Sequence, residues 1–257
     1  MSVNTYLQSL GSSLVLSDKE KESIAISVAN IKNKINSYFD DVEEILVFGS
    51  YGRETILPRK ADENSDVDMM IVFKNPNGYK PQSFLNRLKT FVESKYTRSE
   101  IHQSSPTIVL ELNHIMFELT PAYVQYGKKY YIPNGPSEWM YSNPTALANS
   151  ILECNKNNSY KIKPVVRLLK YWNVQKNNRD YKSYMIETKV ADNLKYSFIV
   201  CSSYTDYLLK ALQYINPYGL DTRTNALKKC IEEALSLEKS NCPYSAEQKI
   251  KEKFPPL

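Results

Sequence analysis

The sequence predicts an α+β protein with two lobes, in which a mixed sheet with helices is followed by a helical lobe. In the first half, apolar segments of strand length alternate with segments of helical periodicity, and from residue 137 onward only helical periodicity remains. The 257 residues are enough for two lobes, and glycine and proline cluster at residues 126–142. We therefore expect residues 1–130 to form the sheet-containing lobe together with N-terminal helices, and residues 131–257 to form the helical lobe.

Local signals predict the elements in chain order. Ser17 and Glu20 form a capping-box pattern ahead of a helical apolar stripe. Apolar segments bounded by turn residues predict strands, and Pro81 lies in the first turn of a predicted helix. The predicted elements are a helix at 17–35, strands at 42–48 and 67–73, a helix at 81–96, a hairpin of 107–112 and 115–119, and helices near 151 and at 165–174, 184–190, 198–214 and 226–237.

Composition excludes several classes of protein. Apolar residues make up 42% and charged residues 24% of the chain, which is typical of globular rather than disordered proteins. No apolar run approaches the ~18 residues of a membrane span, and residues 1–17 lack the pattern of a signal peptide. The four cysteines form no Cys-x-x-Cys pair and the two histidines lie far from them, so we expect no zinc site, and reduced thiols in the cytoplasm.

The positive charge is concentrated in one segment. Residues 156–189 contain nine Lys or Arg and two acids, which gives +7, whereas the whole chain has +5 and the remainder therefore −2. A concentrated positive field suits an anionic ligand. The alternative, a solvated helical face, stays open at this point.

A glycine-containing turn follows the first predicted strand. Gly49 and Ser50 come directly after residues 42–48, and Arg53 follows shortly. Glycine lets backbone N–H groups approach a phosphate, and the Ser50 hydroxyl and the N-terminus of a following helix could bind the same phosphate. We count Gly49, Ser50 and Arg53 as candidate phosphate-binding residues, with an ordinary strand-to-helix loop as the alternative.

Three acidic residues mark a candidate metal site. Asp66 and Asp68 open the second predicted strand, and residues at i and i+2 of a strand project from the same face. Two carboxylates so close repel each other unless a cation lies between them, and magnesium prefers such oxygen ligands. Glu118 is the acid of a later apolar strand, and beside the other two it would complete a two-metal site that activates a hydroxyl and holds a triphosphate. The alternative is a solvated strand end and an edge-strand glutamate that faces solvent.

Together these residues resemble the nucleotidyltransferase superfamily of DNA polymerase β, whose pattern is a Gly-Ser turn, an Asp-x-Asp pair and a third acid on a later strand. Val-Arg-Leu-Leu-Lys-Tyr-Trp-Asn at 166–173 and Ser-Tyr-Met-Ile-Glu at 183–187 resemble the second-lobe signature of the group of oligoadenylate synthase and cyclic GMP–AMP synthase. Glu-Leu-Thr-Pro-Ala at 118–122 and Lys-Phe-Pro-Pro at 253–256 resemble stretches of the same group. The chain is thus similar to a compact bacterial member of this group, a CD-NTase with a polymerase-β-type core.

The resemblance implies a role for each matching residue. Asp66, Asp68 and Glu118 would be the catalytic acids that bind two magnesium or manganese ions. Lys170 matches the lysine that holds the triphosphate from the second lobe, which would close the active-site cleft. Ser183 matches a phosphate contact, and Tyr184 matches the aromatic that stacks on the base of the donor nucleotide. The nucleotide-binding set is therefore Gly49, Ser50, Arg53, Lys170, Ser183 and Tyr184.

The resemblance also implies an activity. The protein would join nucleoside triphosphates without a template into a cyclic or linear oligonucleotide second messenger, through attack of a ribose hydroxyl on the α-phosphate and release of pyrophosphate. Its implied setting is antiphage defence in the bacterial cytoplasm, with a separate effector protein that senses the product, a nucleic-acid or phage-derived activator, and no membrane partner. Two residues depart from the group's pattern, because Glu118 stands where most members carry aspartate and Glu54 where a glycine is usual. We expect the Glu54 side chain to point away or to pair with Arg53 or Arg59.

Other interpretations stay open from the residues alone. Linear RNA or DNA oligomers made from NTPs or dNTPs could be the main product. The protein could instead adenylylate a small molecule or a protein, although the +7 segment disfavours a cationic acceptor. The departures at Glu54 and Glu118 also fit a catalytically degenerate nucleotide-binding partner protein. A dedicated nucleic-acid binder would usually have an isoelectric point above about 9, and the value here is about 8.8.

Overall fold

The computed structural model describes residues 1–75, 77–125, 127, 129–196 and 200–257. Within this part the chain forms two compact units, each assembled from segments that are not continuous in the sequence. We call residues 16–53 and 64–146 the sheet unit, and residues 1–15, 54–63 and 147–257 the helical unit.

The sheet unit is built on a mixed sheet. Its strands are β1 (Val42–Phe48), β2 (Asp66–Phe73), β3 (Glu100–Ser104), β4 (Thr107–Glu111), β5 (Met116–Gln125), β6 (Lys129–Asn134) and β7 (Glu138–Ser142). They lie in the order β1-β2-β5-β4-β3, while β6 pairs with β5 and β7 pairs with β6. β2 and β5 are parallel and the other pairs are antiparallel, so the predicted mixed sheet is confirmed. A parallel pair needs a long connection, which here contains α4 (Pro81–Lys95), β3 and β4.

The helices of the sheet unit begin at the signals present in the sequence. α2 (Asp18–Tyr38) has Ser17 as its N-cap, and both hydrogen bonds of a capping box are present. The Ser17 hydroxyl accepts from the backbone N–H of Glu20, and the Glu20 carboxylate accepts from the backbone N–H of Ser17 at 2.8 Å. α4 begins with Pro81. Proline has no backbone N–H, but the N–H groups of a helix's first turn have no partner within the helix, so no hydrogen bond is lost there. α3 (Gly49–Gly52) is a single turn directly after β1.

Helix α4 covers one face of the sheet. The ring centroid of Phe84 in α4 lies 5.2 Å from that of Phe73 in β2. Because side chains alternate along a strand, the buried Val67, Met69 and Ile71 share the face of Phe73. The opposite face of β2, which we call the open face, therefore carries the aspartates at 66 and 68.

The helical unit contains α1 (Val3–Ser13), α5 (Ala146–Asn157), α6 (Ile162–Lys176), α7 (Ser183–Asn193), α8 (Tyr204–Ile215), α9 (Thr222–Lys239) and α10 (Pro243–Lys251). Its core joins side chains from distant parts of the chain, including Leu7, Trp172 and Phe254. The Tyr6 hydroxyl donates to the carbonyl oxygen of Phe254 at 2.6 Å, so the Phe-Pro segment is held against α1. None of the helices in the described ranges has both the length and the apolar character that a bilayer span requires.

The predicted elements with clear local signals are confirmed, and several short strands were missed. β1 has the predicted bounds, α4 ends one residue earlier than predicted, and the predicted hairpin is the antiparallel pair of β4 and β5. The sequence did not predict β3, β6 or β7. The start of the predicted helix at 198–214 lies outside the described residues, and the described helix there is α8.

The two units differ from the predicted division at residue 130. Residues 1–15 belong to the helical unit because α1 packs its apolar side chains into that core. The sheet unit continues to residue 146 because β6 and β7 extend the sheet through β5. The glycine and proline cluster at 126–142 therefore contains a strand pair, although Tyr126 and Lys128 lie outside the described residues.

Candidate active site

The turn after β1 brings its backbone against a side chain of β2. Gly49 has φ = +64°, and a Cβ added there would lie 1.6 Å from Oδ2 of Asp68. Only glycine fits, because of both the backbone conformation and the neighbouring carboxylate. Ser50 and Arg53 follow and are half-buried. Since α3 is a single turn, phosphate binding here would depend on backbone N–H groups and the Ser50 hydroxyl more than on a helix dipole.

The predicted acids lie side by side on the open face. Asp68 of β2 is directly opposite Glu118 of β5 in the parallel pair, so their Cα atoms are about 4.8 Å apart and their side chains project from one face. Asp66 lies two residues before Asp68 and shares that face. On its other side, Asp68 pairs with Phe48, the residue before Gly49. The sheet therefore brings the turn and the three acids together.

The pKa of Glu118 is raised above its ordinary value. Burial is the largest cause, and the negative charge of Asp68 is the second. The charge of His102 and a hydrogen bond from Thr107 act in the opposite direction. Glu118 and Asp68 thus interact unfavourably when both are ionised, and a cation between them would relieve this repulsion.

His102 and Thr107 are neighbours of the site that the sequence did not reveal. His102 of β3 pairs with Val109 of β4, which in turn pairs with Glu118, so all three project from the open face. Thr107 shares the face of Val109. Its hydroxyl has two acceptors within reach, the Glu118 carboxylate and the carbonyl oxygen of Ser104 at 2.9 Å, and it has one hydrogen to donate. The segment of β3 has no apolar alternation that predicts a strand, so no signal placed its histidine beside the acids.

The three acids could bind a hard cation, because their ligand atoms are oxygens and the strand register puts them on one face. Carboxylate oxygens are the ligands that magnesium and manganese prefer, and Asp66, Asp68 and Glu118 present them from one face. Among the described residues, no three side chains of His, Cys, Asp or Glu converge as they stand into a group that could hold a metal ion.

Lys170, which the resemblance assigns to the triphosphate, is buried in the helical unit. Its side chain is 5% exposed, and its Nζ lies 3.1 Å from Oε1 of Glu187, whose side chain is fully buried. The same Nζ donates to the carbonyl oxygen of Thr55 at 3.0 Å, and the Thr55 hydroxyl donates to Oε1 of Glu187 at 2.7 Å. Glu187 belongs to the signature at 183–187, but nothing in the sequence indicated these partners.

Ser183 and Tyr184 begin α7 and lie at the surface of the helical unit. Tyr184 is 63% exposed, which excludes core packing as the reason for this tyrosine. An exposed aromatic ring can stack on a nucleobase. Both residues belong to the helical unit, as Lys170 does, whereas the turn at 49–53 and the three acids belong to the sheet unit.

The structure gives a physical account of the unusual Glu54. Its φ is +60°, a left-handed conformation that glycine adopts most readily. Its carboxylate lies 2.5 Å from Nζ of Lys163, and Arg167 donates to its carbonyl oxygen at 3.0 Å. Lys163 is a partner that we did not predict. The group's usual glycine at this position is thus replaced by a residue that is held by α6.

Ion pairs reduce the excess positive charge of residues 156–189. Lys163 and Arg179 are paired with acids outside the segment, Glu54 and Asp62. The pair Lys170–Glu187 lies within the segment, so its acid is already included in the count of +7. The count of +7 therefore overstates the field that an anionic ligand would meet.

Proteins with related sequences are nucleotide synthases by name. A family model described as the Second Messenger Oligonucleotide or Dinucleotide Synthetase domain (SMODS) matches residues 1–155. A probable cyclic nucleotide synthase of Bacillus cereus is 25% identical over 250 residues, which cover 86% of this chain and 73% of that protein. A cyclic AMP-AMP-AMP synthase of Acinetobacter sp. is 25% identical over 197 residues, or 73% of this chain, and the match spans 56% of that relative's length.

Solved structures share the fold at low sequence identity. The structure of CdnC from E. coli MS115-1 with ATP has a TM-score of 0.73 and 13% identity, and the match covers 96% of both chains. The apo form of Vibrio cholerae DncV has a TM-score of 0.62 and 13% identity, over 96% of this chain and 77% of that one. These likenesses establish the fold.

The fold is that of the CdnC and DncV structures, and its sheet carries a row of acids beside a glycine turn. The family match covers more than half of the chain. The chain therefore belongs to the SMODS family and is a nucleotidyltransferase of the CD-NTase type.

Proposed function

We propose that this enzyme joins nucleoside triphosphates without a template into a cyclic oligonucleotide second messenger, with linear RNA or DNA oligomers as the alternative product. The names of the Bacillus and Acinetobacter relatives support a cyclic product. In this reaction a ribose hydroxyl oxygen forms a bond to the α-phosphorus of a second nucleotide. The bond from that phosphorus to pyrophosphate breaks, pyrophosphate leaves with the electron pair, and the hydroxyl proton is lost.

One observation carries this proposal, namely the register that places Asp68 opposite Glu118 and beside the Gly49 turn. A phosphate that accepts hydrogen bonds from the turn would lie next to these carboxylates. A hydroxyl at Glu118 would then lie next to that phosphate. This is the arrangement that transfer between a hydroxyl and a nucleotide requires, because the reacting atoms must start about 3–3.5 Å apart.

Each residue of the open face has a proposed task. The Ser50 hydroxyl and the backbone N–H groups of the turn bind triphosphate oxygens. Glu118 orients the attacking hydroxyl and accepts its proton as a general base. Its extra methylene, compared with aspartate, lets its carboxylate reach further from β5.

We propose that Asp66, Asp68 and Glu118 would hold two magnesium or manganese ions. Such ions, when bound, lower the pKa of an attacking hydroxyl and neutralise the charge of a triphosphate. In the helical unit, we propose that Ser183 binds a phosphate and that Tyr184 stacks on a base. The biological setting that we propose is cytoplasmic antiphage signalling through a separate effector protein, because the chain resembles enzymes with that role.

Product analysis tests the proposal. The purified protein is incubated with the four NTPs and then with the four dNTPs, in magnesium or manganese, and products are identified by mass spectrometry after phosphatase treatment. We expect a phosphatase-resistant species, because a cyclic product has no terminal phosphate. A phosphatase-sensitive ladder would indicate linear oligomers. No product and no pyrophosphate in any mixture, with DNA and RNA added as activators, would contradict the proposal.

Two variants make this assay specific to the acids. The double variant Asp66→Asn/Asp68→Asn should abolish product formation and keep the fold, because both side chains lie at a strand end and are not fully buried. Glu111→Gln is the matched control, since Glu111 is an exposed acid of the same face on β4 and should retain wild-type activity.

A further inference from the structure

Residues 177–182, which we call the α6–α7 loop, lead directly into the first turn of α7. Two of them, Asn178 and Arg179, have φ of +51° and +58°. Residues other than glycine adopt this left-handed conformation much less readily, so contacts with neighbouring elements are needed to hold the loop in it. Within the described ranges, no side-chain hydrogen bond caps α7 at Lys182. The place where α7 begins therefore depends on what holds the loop.

Asn173 of α6 holds the loop through one buried amide. Its Nδ2 donates to the carbonyl oxygen of Tyr181 at 2.8 Å, and its Oδ1 accepts from the backbone N–H of Tyr181 at 3.2 Å. The amide thus binds both polar backbone groups of one residue, as a neighbouring antiparallel strand would. The backbone carbonyl oxygen of Asn173 also accepts from the backbone N–H of Arg179 at 2.9 Å. α6 is therefore connected to the loop at two points.

The side chain of Tyr181 joins the same loop to α9. Its hydroxyl donates to Oδ2 of Asp221 and contacts the hydroxyl of Thr224 at 2.8 Å. Asp221 is the N-cap of α9, and its Oδ1 accepts from the backbone N–H groups of Arg223 and Thr224 at 2.7 and 2.8 Å. Tyr181 is thus fixed by two helices, by α6 through its backbone and by α9 through its hydroxyl.

We infer that Asn173 and Tyr181 are positioning residues that fix the start of α7, and that they act on nucleotide binding through Ser183 and Tyr184. This inference rests on the proposed function. Ser183 and Tyr184 are exposed and follow Tyr181 by two and three residues, so a shift of the backbone at Tyr181 moves both. A fixed start of α7 presents the hydroxyl and the ring to a nucleotide without an ordering cost on binding. Neither Asn173 nor Tyr181 touches the nucleotide in this scheme.

Tyr181→Phe tests the contact with α9, because it removes one hydroxyl and keeps the ring. We expect the dissociation constant for a fluorescent ATP analogue to rise roughly 3- to 10-fold, which is part of the roughly 5- to 100-fold that complete loss of base stacking would give. Tyr207→Phe is the matched control, since it also removes a hydroxyl with a buried hydrogen bond, at 2.9 Å to Asn158, outside the loop. The control should bind the analogue as wild type does. A folded Tyr181→Phe protein with wild-type affinity would overturn the inference.

Asn173→Ala tests the contact with α6. It removes both side-chain hydrogen bonds to the backbone of Tyr181. We expect weaker binding of the analogue than in Tyr181→Phe, because partly buried backbone groups lose their partner as well. A folded Asn173→Ala protein with wild-type affinity would contradict the inference, and Tyr181→Phe decides it if Asn173→Ala does not fold.

A double-mutant cycle separates positioning from a general loss of stability. In a Ser183→Ala/Tyr184→Ala background, the addition of Tyr181→Phe should change the dissociation constant by less than about twofold, because the side chains that Tyr181 positions are already absent. An equal loss of affinity in both backgrounds would show that Tyr181 acts on binding by another route, and it would rule the inference out.

Hydrogen exchange gives a readout that needs no nucleotide. The amides of Met185 and Ile186 donate to the carbonyl oxygen of Lys182 at 2.9 and 3.2 Å, in the first turn of α7. Both amides should exchange faster in Tyr181→Phe than in wild type, and at the wild-type rate in Tyr207→Phe. Unchanged exchange in Tyr181→Phe would show that the loop does not fix the start of α7.

The same measurements distinguish a failure of the proposed function. A Ser183→Ala/Tyr184→Ala protein that binds the analogue as wild type does would contradict the proposed roles of these two residues, and with them the action of Tyr181 on binding. The exchange of the α7 amides would then decide by itself whether Tyr181 positions the helix.

Discussion

Gly49 and Gly78 share a backbone conformation but not their surroundings. Both have φ = +64°, whereas an added Cβ would meet Asp68 at Gly49 and nothing within 4 Å at Gly78. We expect Gly78→Ala to cost about 1–2 kcal/mol of conformational strain and to retain activity. Gly49→Ala carries the same strain and also displaces the Asp68 carboxylate, so it should lose product formation and more stability.

Urea unfolding and pyrophosphate release measure the two effects separately. The Gly78 variant is the control for strain alone, since its backbone angle equals that of Gly49. A Gly49→Ala protein with wild-type turnover would show that Asp68 is not held against the turn during the reaction.

At the scale of single residues, the sequence predicts local relations well and distant ones poorly. Asp66 and Asp68 share a face because of their spacing within one strand, which the sequence states directly. Glu118 was proposed as the acid of a later apolar strand, but its distance from the pair depends on the strand register, which places it beside Asp68. The positions of His102 and Glu187 depend on pairings across the sheet or between helices, and no spacing along the chain encodes them.

Among the elements, α4 and the segment before β1 are joined by one ion pair. The guanidinium of Arg87 donates to both carboxylate oxygens of Asp41, at 2.8 and 2.6 Å, and lies 4.8 Å from the ring centroid of Phe73. Hydrogen bonding to Arg87 lowers the pKa of Asp41. Because the folded-state pKa is depressed, the pair stabilises the fold above the unfolded-state pKa of about 3.9. This contribution is lost as the pH falls through the lower folded-state value.

Asp41→Asn should therefore lower the free energy of unfolding at neutral pH, and this effect should shrink as the pH falls below about 3.9 and the wild-type carboxyl becomes protonated. Urea unfolding at several pH values measures the difference between variant and wild type. Glu43→Gln, which changes an exposed acid of β1, is the matched control and should give a difference that does not vary with pH in this way. A constant difference for Asp41→Asn would show that the ion pair contributes nothing.

Elements with their own start and stop signals could be predicted from the sequence, and short strands could not. α2 has a capping box and α4 has an initial proline, and both signals act within one turn of helix. β6 and β7 are stabilised by partners across strands, such as the stacked rings of Tyr123 and Tyr131 at 5.2 Å. Gly135, at φ = +78°, lies in the turn between these strands, so a signal that we interpreted as a domain boundary marks a hairpin.

For the whole molecule, thiol reactivity tests the helical core. Cys154, Cys201 and Cys230 are buried and Cys242 is exposed. Burial raises the pKa of Cys154 to about 12 and that of Cys230 to about 11, so little thiolate forms at neutral pH. We expect one fast-reacting thiol with Ellman's reagent in the native protein and the other three only after unfolding. Cys242→Ser should remove the fast phase, and two or more fast thiols in native protein would contradict this core.

The fold class could be predicted from the sequence, but the assignment of each segment to one of the two units could not. Alternating strand and helix patterns predicted a mixed sheet followed by helices, because each pattern is local. The assignment of residues 1–15 and 54–63 to the helical unit depends on contacts with side chains far away in the sequence, such as those of Leu7 and Leu57 with the core. Hydrophobic periodicity shows that α1 has an apolar face, but not which core buries it.

The path of α1 has a consequence for biosynthesis. Its Tyr6 hydroxyl meets the carbonyl of Phe254, 248 residues further along the chain, whereas the sheet unit is made entirely of residues up to 146. On the ribosome, the sheet unit can therefore fold while α1, already outside the exit tunnel, still lacks the helices that cover Leu7 and Leu10. α1 emerges before helices α2 to α10 but would be among the last of them to be buried, and its apolar face would be a natural binding site for chaperones during translation.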